Sequence, residues 1–298
     1  MPENQYTFDN PVDRYPSIEP PAEHVDEPGT EKDLTPPADH GETSYVGSGR
    51  LTGRKALVTG GDSGIGAAAA IAFAREGADV AIVYLPEEEE DAQRIAGLIR
   101  EAGRTAVTIA GDLAERSFTD EVISRTVSEL GGIDILVNNA GKQVAVESLT
   151  DITDEQFDKT MKTNVYAMFW LTRAALPHLP AGSSIINTTS IQAYQPSETL
   201  VDYATTKAAI NTFTKGLAQQ LAPKGIRVNA VAPGPIWTPL QPSGGQPAEA
   251  LPEFGKQTPL GRAGQPAELA PAYVFLASSE SSYVIGETLS VTGGMPTP

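Results

Sequence analysis

The sequence predicts an α/β fold in which one doubly wound parallel sheet of seven strands is covered by helices on both faces. From residue 51 onward, short apolar runs alternate with longer segments typical of helices, without internal repeats. A glycine-rich turn, Gly60–Gly66, joins the first apolar run to the first helical segment. Alternation of this kind produces a parallel sheet with right-handed crossovers, whose ligands collect at the carboxyl ends of the strands.

The individual elements follow from the same pattern. Thr153 and Gln156 predict a capping box at the start of the fourth helix, and Pro266 suits the first position of the last helix. The strands are predicted near residues 55–59, 79–84, 105–109, 133–137, 183–188, 226–231 and 287–291. The helices are predicted near residues 65–76, 88–102, 117–130, 154–176, 202–221 and 266–277.

Residues 1–50 form a separate region, an acidic and proline-rich extension that precedes a catalytic domain over residues 51–298. The extension has few large aliphatic side chains and no amphipathic period, which favours a disordered tail. It also contains several aromatic residues, among them Tyr6, Phe8, Tyr15 and Tyr45. These favour the alternative, an arm that lies extended across the domain or a neighbouring subunit.

Composition excludes several classes of function. The chain has 298 residues, no cysteine and a formal net charge of −17, so we expect no disulfide framework, no thiol nucleophile and neither nucleic acid nor an anionic membrane as partner. Its three histidines are scattered, and we predict no metal site. No apolar run approaches the length of a membrane span and no signal peptide is evident, so the sequence predicts a cytoplasmic protein.

The glycine-rich turn predicts a site for a dinucleotide. It follows the apolar run Lys55–Thr59 and precedes an alanine-rich helix. A pyrophosphate needs this context, because backbone N–H groups must approach it closely at the positive end of a helix, with no Cβ in the way. A tight turn with glycines for steric reasons alone is the structural alternative.

Tyr203 and Lys207 are four residues apart in a predicted helix, so both side chains project from the same face. An ammonium group beside a phenol favours the phenolate and makes tyrosine a better proton shuttle near neutral pH. Most tyrosine–lysine pairs at this spacing are simply neighbours on a helix surface. The motifs around this pair are what favour a catalytic role for it.

Those motifs resemble the short-chain dehydrogenase/reductase family, which has a Rossmann-type fold. Thr59-Gly60-x-x-x-Gly64-Ile65-Gly66 is similar to the family's glycine motif, and Asn138-Asn139-Ala140-Gly141 to its N-N-A-G. Asn164, the thirteen-residue separation of Ser190 from Tyr203, and Pro233-Gly234 after a strand complete the match, which spans residues 51–294. Within the family, the chain resembles bacterial general-stress oxidoreductases and plant glucose/ribitol dehydrogenase homologues.

The resemblance implies a role for each matched residue. Tyr203 exchanges a proton with the substrate oxygen, and Lys207 lowers the pKa of Tyr203 and holds the nicotinamide ribose. Ser190 polarises the substrate carbonyl, and Asn164 holds a water. The implied substrate contacts are Ser190, Gln192, Tyr203 and Trp237. The implied cofactor contacts are Gly60, Asp62, Ser63, Gly64, Ile65, Tyr84, Leu85, Asp112, Leu113, Asn139, Ala140, Gly141, Tyr203, Lys207, Pro233, Gly234, Ile236 and Thr238.

The choice between NAD and NADP depends on the residue that ends the second strand, here Tyr84-Leu85. An acid there would bind the ribose 2′-hydroxyl and an arginine would bind a 2′-phosphate, but neither is present. Ser63 occupies a position where many relatives that use NADP carry arginine. The acidic run Glu87–Glu90 would repel a phosphate if it lay close, although such a run more often begins a solvated helix. The sequence therefore favours NAD and leaves NADP open.

The favoured function is an NAD(P)-dependent oxidoreductase that moves a hydride between nicotinamide and a small carbonyl or alcohol substrate: an aldehyde, a ketone or a sugar-like polyol. Two alternatives are a dinucleotide-binding module without turnover and a structural protein whose enzyme fold is vestigial. The presence of both Tyr203 and Lys207 argues against the first. By resemblance we also expect a homotetramer.

Overall fold

The predicted sheet is confirmed. The computed structural model describes residues 4–297, and seven parallel strands form one sheet in the order β3-β2-β1-β4-β5-β6-β7. The order reverses between β1 and β4, the point at which ligands bind in such sheets. The strands are β1 (Lys55–Thr59), β2 (Asp79–Tyr84), β3 (Ala106–Ala110), β4 (Ile135–Asn138), β5 (Ser184–Thr188), β6 (Arg227–Pro233) and β7 (Thr288–Val291).

Helices cover both faces of this sheet. One face packs against α1, α2 and α7, and the other against α3, α5 and α6. Four buried alanines in α1, Ala67–Ala70, keep that helix close to its neighbours. The helices are α1 (Gly64–Arg75), α2 (Glu89–Glu101), α3 (Arg116–Leu130), α4 (Asp154–Met161), α5 (Ala167–Ala175), α6 (Val201–Leu221) and α7 (Pro266–Ala277).

The predicted fourth helix differs from the observed one in two ways. It divides into α4 and α5 around a wider π-type turn, Lys162–Tyr166, because the side chain of Asn164 within that turn is bonded to the backbone of Lys142. The cap is also only half of a capping box. Thr153 Oγ1 accepts the Gln156 N–H, but the Gln156 side chain donates to Asp202 instead of returning to the cap.

The N-terminal extension lies along the domain, as the second alternative proposed. Ile18 and Leu34 are buried against Trp237, whose indole N–H donates to the Pro36 carbonyl at 2.7 Å. Farther along the arm, the Tyr45 hydroxyl donates to the buried carboxylate of Glu76 at 2.7 Å. These contacts bury apolar surface and so oppose the loss of chain entropy that ordering the arm costs. Composition alone, which favoured a disordered tail, does not reveal them. Within residues 4–297, no helix is long and apolar enough to cross a membrane.

A buried histidine connects the arm to the glycine loop. His40 Nε2 lies 2.8 Å from Glu31 Oε1, and His40 Nδ1 lies 2.9 Å from Glu42 Oε1. Glu31 Oε1 also accepts the Gly64 N–H at 2.8 Å, at the first residue of α1. Burial alone would lower the pKa of His40, but the two carboxylates outweigh it and raise the pKa to about 9. The histidine is therefore charged at neutral pH and stabilises the position of the arm.

The stability of the protein should respond to this histidine as pH rises. Because the folded pKa is raised above its reference of 6.5 to about 9, the protonated imidazole stabilises the fold fully below pH 6.5, and this contribution is lost as pH rises through about 9. We expect the free energy of unfolding of the wild type to fall more steeply over this interval than that of His40→Asn. Urea denaturation at several pH values measures both slopes, with the exposed His178→Asn as control. Equal slopes in wild type and His40→Asn would contradict the assignment.

Candidate functional site

A cleft of about 1110 Å³ opens along the carboxyl ends of the strands. Its wall includes residues that follow β1, β2, β3, β4, β5 and β6, so the topology brings distant motifs together at one edge of the sheet. All the predicted site residues line this cleft except Asn164 and Trp237. Its volume is large enough for a dinucleotide together with a small substrate.

Hydrogen bonds hold the glycine loop against the loop after β4. Asn139 Nδ2 donates to the carbonyls of Thr59 at 3.1 Å and Gly60 at 3.2 Å, and the Asn139 N–H donates to Thr59 Oγ1. A Cβ built on Gly66 would overlap the Gly60 carbonyl and lie 2.7 Å from Asn139 Nδ2. Gly60 itself has a φ of 58°, in the left-handed region. The glycines thus place the amino end of α1 against the cleft.

Tyr203, Ser190 and Lys207 form a buried group on the cleft wall. Burial raises the pKa of Tyr203 to about 12, and the Ser190 hydroxyl offsets only part of this rise. Burial also lowers the pKa of Lys207 to about 8. Lys207 Nζ lies 5.3 Å from the centre of the Tyr203 ring and donates to the Thr188 carbonyl at 3.0 Å. The expected lowering of the tyrosine pKa by Lys207 is not seen in this geometry, where burial raises the pKa and only Ser190 acts against the rise.

Asn164 lies behind the wall, buried in the π-type turn. Its side-chain amide donates to the Lys142 carbonyl at 2.9 Å and to Thr206 Oγ1 at 3.0 Å, and its oxygen accepts the Lys142 N–H at 2.7 Å. Asn164 Oδ1 and Lys207 Nζ both lie beside Gly141, 3.6 and 3.5 Å from the position that a Cβ would take there. Asn164 therefore fixes the backbone next to Lys207.

The other end of the cleft is acidic. Asp112 Oδ2 accepts from Lys159 Nζ at 2.5 Å, and its Oδ1 accepts the Ala114 N–H. Glu87 and Glu88 line the cleft. Glu88 is half-buried, and burial, with the neighbouring Asp91 and Glu87 charges, raises its pKa to about 7. The run begins α2 as expected, with Glu87, Glu89 and Glu90 exposed, but Glu88 at its amino end is turned partly inward.

The substrate end differs from the prediction at Trp237. This ring is buried behind the wall against Phe254 and the arm, and it does not line the cleft. Gln192 does line it, with its amide held by Ser197. Sequence reasoning missed Lys142 and the arm residues Glu27–Gly29, which also line the cleft. Lys142 directly follows the Asn-Asn-Ala-Gly motif and could have been found there, whereas no motif marks Glu27.

Comparison with known proteins agrees with this geometry. A family model described as enoyl-(acyl carrier protein) reductase matches residues 60–296. General stress protein 39 of Bacillus subtilis is 51% identical over 280 residues, 94% of this chain and 97% of that protein. The glucose and ribitol dehydrogenase of Daucus carota is 45% identical over 280 residues, 92% of this chain and 96% of that protein.

A solved structure is also similar to this chain. The short-chain dehydrogenase of Burkholderia cenocepacia in complex with NADP is 38% identical, with a TM-score of 0.77 over 82% of this chain and 98% of that one. The chain belongs to the short-chain dehydrogenase/reductase family of oxidoreductases. The predicted resemblance, including its two subgroups, is confirmed.

The glycine loop provides a matched pair of substitutions. Gly66→Ala should destabilise the protein by about 2 kcal/mol or more, because the new methyl group would overlap the Gly60 carbonyl. Gly97→Ala, in α2 with nothing within 4 Å of the added Cβ, should leave stability unchanged or raise it by up to about 1 kcal/mol. Urea denaturation of both variants measures the difference, and equal stabilities would contradict the close approach.

Proposed function

We propose that the protein is an NAD(P)-dependent oxidoreductase that reversibly transfers a hydride between nicotinamide and a small carbonyl or alcohol substrate. The observation that carries the proposal is the buried group of Tyr203, Ser190 and Lys207 on the same cleft as the glycine loop. A phenol and a hydroxyl at one wall suit an oxygen that gains or loses a proton. In this proposal residues 51–298 form the catalytic domain and residues 1–50 the extension that covers it.

The residues of the cleft fit a dinucleotide. The first N–H groups of α1 have no partner within the helix, and the residues that carry them line the cleft beside glycines that a Cβ would obstruct. The Gly64 N–H is bonded to Glu31 of the arm, so a pyrophosphate there would replace that carboxylate or share the helix end with it. We assign the pyrophosphate to Ser63–Ile65, the adenine end to Asp112 and Leu113, and the nicotinamide end to Asn139–Gly141, Tyr203 and Lys207. When bound, the nicotinamide supplies or accepts the hydride.

The proton chemistry follows from the pKa values. With a pKa of about 12, Tyr203 holds its proton at neutral pH and donates it to the carbonyl oxygen of a substrate during reduction. Ser190 donates a hydrogen bond to the same oxygen as negative charge develops there. Lys207, with a pKa of about 8, is mostly charged at pH 7 and stabilises the phenolate that the donation leaves behind. Alcohol oxidation uses the same groups in reverse.

The substrate end favours a hydroxyl-rich molecule. Amide side chains of Gln143, Gln192 and Gln195 line the cleft together with the Glu27–Lys142 ion pair. Such groups donate and accept hydrogen bonds in equal measure, as a sugar or polyol requires. The carrot relative is named a glucose and ribitol dehydrogenase, which supports this substrate class.

The cofactor preference that we propose is NAD. Glu87 and Glu88 line the cleft and, among residues 4–297, no arginine lines it, so a 2′-phosphate would face acids without a bidentate partner. The Burkholderia relative is described in complex with NADP. The NAD preference proposed for this chain therefore rests on its own residues and not on that relative.

Tyr203→Phe should keep the fold and cofactor binding but lower turnover on the order of 10²-fold or more, because only the proton donor is removed. Steady-state absorbance of reduced nicotinamide, with aldehydes, ketones and polyols as substrates, measures kcat. Tyr273→Phe is the matched control, since it removes a buried hydroxyl, bonded to Thr188, that does not line the cleft. A folded Tyr203→Phe variant with kcat close to that of the wild type would contradict the mechanism.

We also propose a homotetramer. Phe157 in α4, Tyr166 in the π-type turn and Phe169 in α5 are each more than 40% exposed. Tyr283 and Ile285 are exposed before β7. In a monomer these large apolar side chains would be exposed to water on two surfaces, one on α4 and α5 and one before β7. Pairing of each surface with its counterpart across a two-fold axis would bury them.

Light scattering at micromolar concentration should give about four times the 31.4-kDa mass of the chain. Phe169→Glu places charges at the proposed helix interface and should reduce the assembly to a dimer held by the β7 surface. The matched variant Phe8→Glu changes a fully exposed side chain of the arm and should leave the tetramer intact. A monomeric wild type would contradict the proposal.

A further inference from the structure

Asp62 is a buried acid whose hydrogen-bonding capacity is unused. Its side chain is 1% exposed, lines the cleft, and neither carboxylate oxygen has a hydrogen-bond partner among the described residues. Its own N–H and the Ser63 hydroxyl are near enough to act against the rise of its pKa but do not form hydrogen bonds of normal geometry. Burying a carboxyl group without partners is costly, so the position is explained by something that Asp62 binds.

The acidic groups around Asp62 disfavour an anion as its partner. Burial, and then the Glu88 charge, raise the pKa of Asp62 well above its usual value. Glu88 and Asp91, the other two acids that act on it, are themselves satisfied, because Glu88 accepts the Leu85 N–H and Asp91 accepts the Glu31 N–H, both at 2.8 Å. Only Asp62 is left without donors.

A metal ion does not fit this acidic cluster. In residues 4–297, no three acidic or histidine side chains are arranged to hold one. A neutral group with O–H donors fits, because a hydroxyl can donate to a carboxylate and carries no charge that Glu88 would repel. The dinucleotide that we propose for this cleft carries such a pair of hydroxyls on its adenosine ribose.

We propose that Asp62, with Glu88 beside it, receives the adenosine ribose hydroxyls and selects NAD over NADP. The inference rests on the proposed function. β2 ends at Tyr84, whose hydroxyl donates to Glu89, and Leu85 follows, so no carboxylate stands at the end of that strand. The acid that selects the cofactor is instead Asp62, in the glycine loop just before α1. A 2′-phosphate has no proton to donate at neutral pH, and it would add negative charge next to two acids.

Binding, measured without turnover, tests the inference. Isothermal titration of the full chain with NAD, NADP and 2′-deoxy-NAD gives three dissociation constants for each variant. In the wild type, NAD should bind on the order of 10-fold tighter than either analogue, about the effect of one hydrogen bond. In Asp62→Asn and Asp62→Ser, the difference between NAD and 2′-deoxy-NAD should shrink to within about twofold, and the preference over NADP should narrow or reverse.

Two controls separate this role from a structural one. Asp91→Asn changes a buried acid of the same cluster that does not line the cleft, and it should keep the wild-type ratio of NAD to NADP affinity. Asp62→Asn should also raise or leave unchanged the melting temperature of the cofactor-free protein, because it removes an unpaired buried acid. A structural aspartate would instead lower it.

The outcomes are distinct. If the wild type binds neither NAD nor NADP, the proposed function itself fails. If it binds them but Asp62→Asn and Asp62→Ser keep the wild-type ratios for NADP and 2′-deoxy-NAD, the function stands and the assignment of Asp62 is overturned. A wild type that binds NADP more tightly than NAD also overturns it.

Discussion

The close contact between the glycine loop and the loop after β4 is the constraint on which the site depends. Gly66 can approach the Gly60 carbonyl only because it has no Cβ, and Asn139 bonds the same carbonyl from the other side. Together they fix the amino end of α1 at the switch point between β1 and β4. The same contact helps to position the Lys207 end of the cleft, since two residues after Asn139 the chain reaches Gly141, beside which Asn164 and Lys207 lie.

The arm adds a second layer to this framework. It reaches the glycine loop through Glu31 and His40, and it covers Trp237 in the long connection after β6. Connections of that length beside a cleft are often mobile lids. Here the arm holds the connection from outside, and Glu27 extends into the cleft wall. We infer that the arm shapes the substrate end of the site before any substrate binds.

Local sequence patterns were sufficient for the strands, the helices and most of the cleft, because apolar alternation and glycine motifs act over a few residues. They failed where a contact joins distant parts of the chain. The burial of Trp237 depends on Leu34 and Pro36, and the inward position of Glu88 depends on how the turn after β2 closes over Asp62. The π-type turn at Asn164 likewise needs Lys142 as its partner. None of these pairs is close in sequence, so no local pattern encodes them.

The central claim is that this cleft binds a nicotinamide dinucleotide with its reactive ring beside Tyr203. A crystal structure of the protein grown with NAD tests it most directly. The account predicts pyrophosphate density at the amino end of α1, the adenosine ribose at Asp62, and the nicotinamide ring within reach of Tyr203 and Ser190. Dinucleotide density elsewhere on the molecule, or a cleft that stays free of density at millimolar NAD, would contradict the account.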